Sequence, residues 1–169
     1  MSNSVSEIED IVILGVDPGY DRCGFAVLSK QHGGKETLLH SECFITKRTE
    51  PFTARLLAVS RRFAELLETY RPVACAIEHV FFSNNQKTAL RVSEVRGALL
   101  YIAGDTGTRI LEYGPNEIKV AVTGDGAANK KQVILMVERL IPLLHPIVHD
   151  DEYDAIAAAL TASAVWRRE

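Results

Sequence analysis

The chain has 169 residues, of which 47% are hydrophobic and 24% are charged, and its formal net charge is −3. This length and composition predict one globular domain that buries about two-thirds of its unfolded surface. They argue against a membrane-spanning protein, because no apolar run approaches the roughly 20 residues that a span needs. The net charge leaves nucleic-acid binding open, because binding depends on where charges lie rather than on their sum.

The chain shows no internal repeat, low-complexity tract or linker. Its first residues, MSNSVSEIED, are polar and acidic and lack the basic and apolar regions of a signal peptide. We therefore expect a disordered lead-in at 1–10 and a single domain over 11–169.

Cysteine usage predicts a cytoplasmic protein. Cys23, Cys43 and Cys75 are odd in number and lack the spacing of a metal site, which is typical of free thiols in a reducing compartment. The alternative is a zinc site that combines these cysteines with His32 or His40, which the spacing disfavours.

Hydrophobic periodicity predicts three strands first and then alternating helices and strands. Short connections between the first three strands indicate an antiparallel meander, whereas the strand that follows the first helix can lie parallel to the first strand. The fold class is therefore α/β, with a central mixed sheet of about five strands flanked by helices. Strands are predicted at 11–16, 24–29, 38–46, 73–78 and 109–112. Helices are predicted at 53–70, 87–103, 116–122 with Asn116 as N-cap, 129–141 with Asn129 as N-cap, and 150–166.

Two strands end in a carboxylate. Asp17 follows the β-branched run at 11–16, and Glu78 ends the strand at 73–78. If these strands are parallel neighbours, the two side chains emerge at the same edge of the sheet. Asp17 on its own could simply hydrogen-bond the turn made by Pro18 and Gly19, as aspartate often does.

A second pair of acids, Asp151 and Asp154, begins the last helix. Their spacing places both on one helical face. Acids in a first helical turn also favour the helix dipole without any further role. Together with Asp17 and Glu78, however, they predict a site for hard divalent cations, because Mg²⁺ takes oxygen ligands and bridges carboxylates to a phosphate. Two such ions can activate a water and stabilise the leaving oxygen in phosphodiester hydrolysis.

These motifs, taken in order, resemble the RuvC family of Holliday-junction resolvases. The resemblance rests on VDPG with Asp17, on AIE with Glu78 followed by HVFFSNN, and on D-x-x-D-A from Asp151, and it spans about residues 11–165. It implies an RNase H-like fold and a homodimer that nicks four-way DNA junctions at symmetric positions, in recombination and DNA repair. It also implies a partner, the branch-migration motor complex of the same pathway.

The resemblance assigns catalytic and metal-binding roles to Asp17, Glu78, Asp151 and Asp154. Two Mg²⁺ ions per active site are implied, for which Mn²⁺ can substitute.

The resemblance also implies contacts to DNA. Phe81 matches an aromatic residue that the family places at the junction's bases, and Lys119 and Lys130 match positions that contact the scissile backbone. Lys130 and Lys131 lie at a predicted helix N-terminus, where backbone N–H groups already favour phosphate. Without the family resemblance, these lysines could simply be solvated surface residues, and Phe81 could be part of the hydrophobic core.

Symmetric cutting requires two active sites, and we expect the helix at 87–103 to pair them. One apolar row should cover the sheet: Val92, Val95, Leu99 and Ile102. A second row, partly of small residues, should face the partner: Ala89, Ser93, Arg96 and Leu100.

Two other classes compete with a nuclease. A sugar-kinase or actin-like ATPase also places D-x-G after its first strand, but it needs two such domains and an adenosine site, so failure to bind ATP would exclude it. A catalytically idle junction-binding scaffold is disfavoured because all four acids are present. A nicking assay with Mg²⁺ distinguishes the scaffold from the nuclease.

Overall fold

The computed structural model describes residues 10–31, 34–79 and 86–166. The lead-in predicted at 1–10 therefore lies, apart from Asp10, outside the described residues. The strands are β1 (Ile11–Asp17), β2 (Arg22–Lys30), β3 (Glu36–Ile45), β4 (Ala74–Glu78) and β5 (Arg109–Tyr113). The helices are α1 (Phe52–Tyr70), α2 (Gln86–Asp105), α3 (Pro115–Thr123), α4 (Lys130–Leu140) and α5 (Asp150–Val165). No helix in these described ranges is both long and apolar enough to cross a membrane.

The strands form one five-stranded sheet in the order β3-β2-β1-β4-β5. β1 pairs antiparallel with β2, and β2 pairs antiparallel with β3, which confirms the predicted meander. β4 lies parallel to β1 on one side and to β5 on the other. The predicted α/β class and mixed sheet are confirmed, and the carboxyl ends of β1, β4 and β5 lie at one edge.

The two faces of the sheet are covered by different helices. Leu14 and Val16 pack with α1 and α2, whereas Ile13 and Ala76 pack with α3, α4 and α5. Because side chains alternate along a strand, Asp17 shares the face of Ile13 and Glu78 shares the face of Ala76. Both strand-end carboxylates therefore belong to the face on which α5 lies.

Helix α5 approaches the centre of the sheet unusually closely. A Cβ at Gly15 would overlap the backbone carbonyl oxygen of Ala155 and would also meet Ala159. Ala155 and Ala159 are themselves fully buried. The alanine-rich sequence of α5 thus allows contact between helix and strand backbones, which fixes the helix relative to β1.

Helix starts agree with the sequence in one case and differ in another. Asn129 caps α4, accepting from the Gln132 N–H at 3.1 Å, as predicted. Asn116 does not cap α3, and that prediction was wrong, because the helix begins two residues earlier. Pro115 occupies the first helical turn, where its fixed φ is suitable, and the Glu117 carboxylate accepts from the Gly114 N–H at 2.6 Å.

Candidate active site

The register of the sheet places the two strand-end carboxylates on neighbouring strands. Val16 of β1 is paired with Ile77 of β4, so the next residues, Asp17 and Glu78, leave the sheet side by side. Both are partly buried. Parallel pairing is what brings them together, because it places both carboxyl ends at the same edge.

The first turn of α5 lies over the same edge. Asp17 is paired with Gly24 of β2, and Gly24 lies directly against the backbone carbonyl of Asp151. Asp154, about one helical turn after Asp151 in α5, is also partly buried. The two strands and the helix therefore bring Asp17, Glu78, Asp151 and Asp154 to one region.

The charges of these acids influence one another. Burial, followed by the charges of Asp154, Glu78 and Asp151, holds the pKa of Asp17 well above its usual value. Burial and Asp154 raise the pKa of Glu78. Burial also raises the pKa of Asp154, although a hydrogen bond from Lys130 opposes it. Such shifts are expected where several carboxylates share a site that favours a compensating cation.

The donor set fits a hard divalent cation. Within the described ranges, no three histidine, cysteine, aspartate or glutamate side chains already converge as ligands of one ion. Mg²⁺ does not require such a cage, because it keeps several waters and takes one or two protein carboxylates together with phosphate oxygens. Asp17, Glu78, Asp151 and Asp154 supply only oxygen donors. Burial first, and then the neighbouring negative charges, raise the pKa of Asp17, and a bound cation would offset both.

Lys130 lies among these acids. Its Nζ donates to Asp154 Oδ2 at 2.9 Å and also contacts Asp150 Oδ2. Burial acts to lower the pKa of Lys130, but the hydrogen bonds to Asp150 and Asp154 outweigh it, so the pKa lies above its usual value. The lysine is therefore charged, and Asp150 is an acid of this site that sequence reasoning did not single out.

A cleft of about 270 Å³ opens beside these residues. Its polar lining consists of Glu78, Asp154, Lys119 and Lys130. The rest of its lining is mostly apolar: Pro115, Ile118, Val133 and Ala157. Two of the acids and two of the lysines predicted from the sequence therefore line one cleft. Negative and positive groups face the same small volume.

The other two residues predicted to contact DNA are placed differently. Lys131 is exposed at the start of α4 and does not line the cleft. Phe81 lies outside the described residues. Their roles remain predictions.

Comparison with known proteins identifies the family. The family model for the crossover junction endodeoxyribonuclease RuvC matches residues 13–162, which includes all four acids. The chain belongs to the RuvC family. A RuvC from Leifsonia xyli subsp. xyli is 39% identical over 157 residues, covering 93% of this chain and 74% of that protein. A RuvC from Moorella thermoacetica is 38% identical over 160 residues, covering 94% and 95%.

Solved structures agree with this membership of the RuvC family. T. thermophilus RuvC, in complex with a Holliday junction substrate, matches with a TM-score of 0.83 at 35% identity, over 90% of this chain and 93% of that one. The yeast mitochondrial Holliday junction resolvase Ydc2 shares the fold, with a TM-score of 0.66 at 18% identity over 89% of this chain and 75% of that one. The RNase H-like fold expected from the resemblance is therefore confirmed.

Sequence reasoning missed Arg22, which begins β2. Its Nε donates to Asp151 Oδ2 at 3.0 Å, and its Nη2 lies 3.5 Å from Asp150 Oδ1. The antiparallel β1–β2 hairpin could have indicated that Arg22 lies near the acids, because it returns the chain to the edge of the sheet where Asp17 lies. The hairpin alone could not predict which acid Arg22 contacts, because Asp151 reaches this position only through the packing of α5.

A second missed group anchors the start of α5. Glu152 is 4% exposed, and its Oε1 accepts from Ser41 Oγ at 2.6 Å and lies 2.8 Å from His145 Nε2. A buried carboxylate is costly unless it is hydrogen-bonded, and here β3 and the segment before α5 supply both partners. Glu152 therefore ties the turn that carries Asp151 to the sheet.

Among the described residues, the cysteines do not converge with His40 as the alternative zinc site would require. Cys23 and Cys75 are buried free thiols. Burial and the Asp151 charge raise the pKa of Cys43 to about 12, with its Sγ 4.0 Å from Asp151 Oδ2. No group of three potential metal ligands includes them among the described residues, and His32 lies outside those residues.

Proposed function

We propose that this protein is a structure-specific endonuclease that resolves four-way DNA junctions by paired symmetric nicks, in recombination and DNA repair. The observation that carries the proposal is the meeting of Asp17, Glu78, Asp151 and Asp154 at one edge of an RNase H-like sheet. Membership of the RuvC family supports the same substrate class.

Asp17, Glu78, Asp151 and Asp154 are the proposed ligands of two Mg²⁺ ions, for which Mn²⁺ can substitute. When bound, such ions activate a water and stabilise the leaving oxygen of a phosphodiester. The chain's own contribution is to hold the carboxylates in place. Parallel pairing fixes Asp17 beside Glu78, and the contact between Gly24 and the α5 backbone fixes the other two.

The lysines of the cleft are proposed to hold the scissile strand. Lys119 and Lys130 line the same volume as Glu78 and Asp154, so a phosphate that reaches the carboxylates lies within reach of both ammonium groups. Ammonium is a compact, strongly hydrated charge that binds phosphate without demanding one orientation. Lys131 and Phe81 are proposed as additional DNA contacts, on the family resemblance.

A homodimer is proposed because symmetric nicking needs two sites related by a two-fold axis. We propose a different row of α2 for this interface than the one expected from the sequence. Ala89 is only 4% exposed, and Arg96 donates to the Glu78 carbonyl at 3.3 Å and contacts Glu112, so this row is engaged within the chain. Val95 and Leu99 cover the sheet as predicted and are fully buried.

The exposed row of α2 is a different one. Leu90 is 60% exposed and Tyr101 is 73% exposed, and they share one helical face with Glu94 and Gly97. Large apolar and aromatic side chains beside a glycine permit close packing of a second copy of the helix. We place the dimer interface on this row. The branch-migration motor complex remains a proposed partner, and the free thiols fit a cytoplasmic location.

A nicking assay tests the function directly. A synthetic four-way junction, labelled on each strand in turn, is incubated with the protein and Mg²⁺, and a linear duplex of the same sequence serves as the control substrate. We expect nicks at symmetric positions on two strands of the junction, little cutting of the duplex, and no reaction in chelator.

Asp17→Asn should reduce nicking on the order of 100-fold or more while junction binding persists. Glu68→Gln, an exposed acid on α1, is the matched control and should cut normally. If the Asp17→Asn variant cuts the junction at a rate near that of the wild type, the assigned site is wrong. If the wild type leaves the junction intact, the proposed function is wrong.

A further inference from the structure

Arg22 bridges two acids of the first turn of α5. Its Nε is 3.0 Å from Asp151 Oδ2, its Nη2 is 3.5 Å from Asp150 Oδ1, and its Nη1 is 3.3 Å from His149 Nδ1. The Arg22 side chain is 42% exposed and that of Asp151 only 17%. The guanidinium therefore covers Asp151 from the solvent side.

Arg22 and Lys130 contact opposite oxygens of the same acid. Arg22 lies against Asp150 Oδ1, and Lys130 contacts Asp150 Oδ2 and Asp154 Oδ2. Each cation thus also occupies one oxygen of a proposed metal ligand, Asp151 Oδ2 for the arginine and Asp154 Oδ2 for the lysine. A divalent cation held by these carboxylates would therefore compete with the two side chains for the same oxygens.

Arg22 also lines a second cleft, of about 590 Å³, on the β2 and β3 side of the acids. The first cleft, with Lys119 and Lys130, lies on the side of β4, α3 and α4. Because the sheet order is β3-β2-β1-β4-β5, the two clefts flank the carboxylates. Arg48 and His149 line the second cleft together with Arg22, while Asp21 and Asp151 are the acids of its wall.

We propose that Arg22 is an exchangeable counter-ion of this site, which binds Asp151 or a DNA phosphate but not both. Arg22 would give up its contact with Asp151 when that carboxylate holds a divalent cation, and its guanidinium would then bind a phosphate of the strand lying in the second cleft. The planar guanidinium suits both partners, because it forms paired hydrogen bonds with carboxylate and with phosphate and stays charged. Metal loading and phosphate binding are thereby coupled, and such coupling is reciprocal. This inference rests on the proposed nuclease function.

The first arm of the test uses Mn²⁺ alone, titrated calorimetrically into DNA-free protein. Arg22→Gln removes the competing charge, so we expect Mn²⁺ to bind about two- to fivefold more tightly than to the wild type, the range of a partly exposed ion pair. Arg61→Gln, an exposed arginine on α1, is the matched control and should not change the affinity. Thermal melts of each variant establish that it is folded.

The second arm measures junction binding by fluorescence anisotropy over a range of NaCl, with and without Ca²⁺, and gels confirm that the junction stays uncut. With Ca²⁺, Arg22→Gln should lower the salt slope by about 0.9, the loss of one phosphate contact. Without a divalent ion, the slope should match that of the wild type. Arg22→Lys, which keeps the charge, should recover most of the slope.

An unchanged or weaker Mn²⁺ affinity in Arg22→Gln would overturn the proposal. So would tighter Mn²⁺ binding with an unchanged slope in Ca²⁺, since Arg22 would then compete with metal without ever reaching phosphate. The Mn²⁺ arm involves no DNA, so its result is independent of whether the wild-type protein cuts junctions.

Discussion

Gly24 lies directly against the backbone of Asp151. A Cβ at Gly24 would overlap the Asp151 carbonyl oxygen and would crowd the side chain of Ala155. Since Gly24 is paired with Asp17 across the β1–β2 hairpin, this contact sets the distance between the strand that carries one acid and the helix that carries two. The lack of a side chain at Gly24 is therefore a condition for bringing the proposed active-site acids together.

Gly24→Ala should destabilise the protein by about 1–3 kcal/mol, because the added methyl must push α5 away from the sheet. Displacement of Asp151 and Asp154 should also lower the nicking rate more than the lost stability explains. Urea denaturation and a nicking assay at a temperature where the variant is fully folded measure the two effects.

Gly104→Ala is the matched control. Gly104 lies in α2, and apart from its chain neighbours and its own helix backbone no atom lies within 4 Å of an added Cβ, so alanine should be neutral or should stabilise the helix by up to about 1 kcal/mol. Equal stability and activity of the Gly24→Ala protein and the wild type would contradict the close contact.

Asp17→Asn should raise the melting temperature in chelator-containing buffer at pH 7. Burial and the neighbouring acids raise the folded-state pKa of Asp17, so its ionisation at neutral pH opposes folding. A raised folded-state pKa gives stability that is fully present below the unfolded-state value of about 3.9 and is lost as pH rises through the folded-state value. Asparagine does not titrate, so the stability of the Asp17→Asn variant relative to the wild type should increase as the pH rises from the unfolded-state pKa to the folded-state pKa.

Melting curves at pH 3 and pH 7 measure this effect. Each kcal/mol gained in the free energy of unfolding corresponds to a rise of about 2–4 °C in melting temperature for a chain of this size. This rise should vanish at pH 3. Glu68→Gln should show no such gain. A shift of equal size at both pH values would mean that the amide, rather than the lost charge, is responsible.

Lys130→Ala should weaken junction binding and slow nicking by about tenfold or more, as expected for loss of a charge-assisted hydrogen bond. Because the ammonium is proposed to neutralise one phosphate, the salt slope of binding should also fall by about 0.9. Anisotropy titrations at several NaCl concentrations give the slope. Lys35→Ala, at an exposed lysine before β3, provides the control. If Lys130→Ala binds and nicks like Lys35→Ala, Lys130 is an ordinary surface residue.

Tyr101→Glu should shift the protein from dimer to monomer in sedimentation and leave mostly single nicks in junction DNA. The reason is that a charge on the exposed row of α2 would be buried between two copies of the helix. Leu135→Glu, on the exposed face of α4, places the same charge at another exposed apolar position, 47% exposed, and should leave the dimer intact. A dimeric Tyr101→Glu protein that still makes paired nicks would remove this row from the interface.

The sequence by itself located the helices and strands and singled out the four acids proposed as metal ligands. Alternating and helical periodicities depend on near neighbours in the chain, so they locate strands, helices and the carboxylates at their ends. Asp17 and Glu78 stand out because each follows a buried strand, where a charge has no structural benefit. The order of the motifs then indicated the RuvC family.

Only the tertiary structure decided which groups surround those acids. Arg22 and His149 are 127 positions apart, and no local pattern could pair them or place Arg22 against Asp151. The row of α2 that the sequence suggested for a partner is likewise engaged within the chain, because Arg96 contacts Glu78 and Glu112 from two strands. Periodicity gives the rows of a helix, but the rotation of that helix against its neighbours depends on packing between distant segments, and that packing decides which row remains exposed.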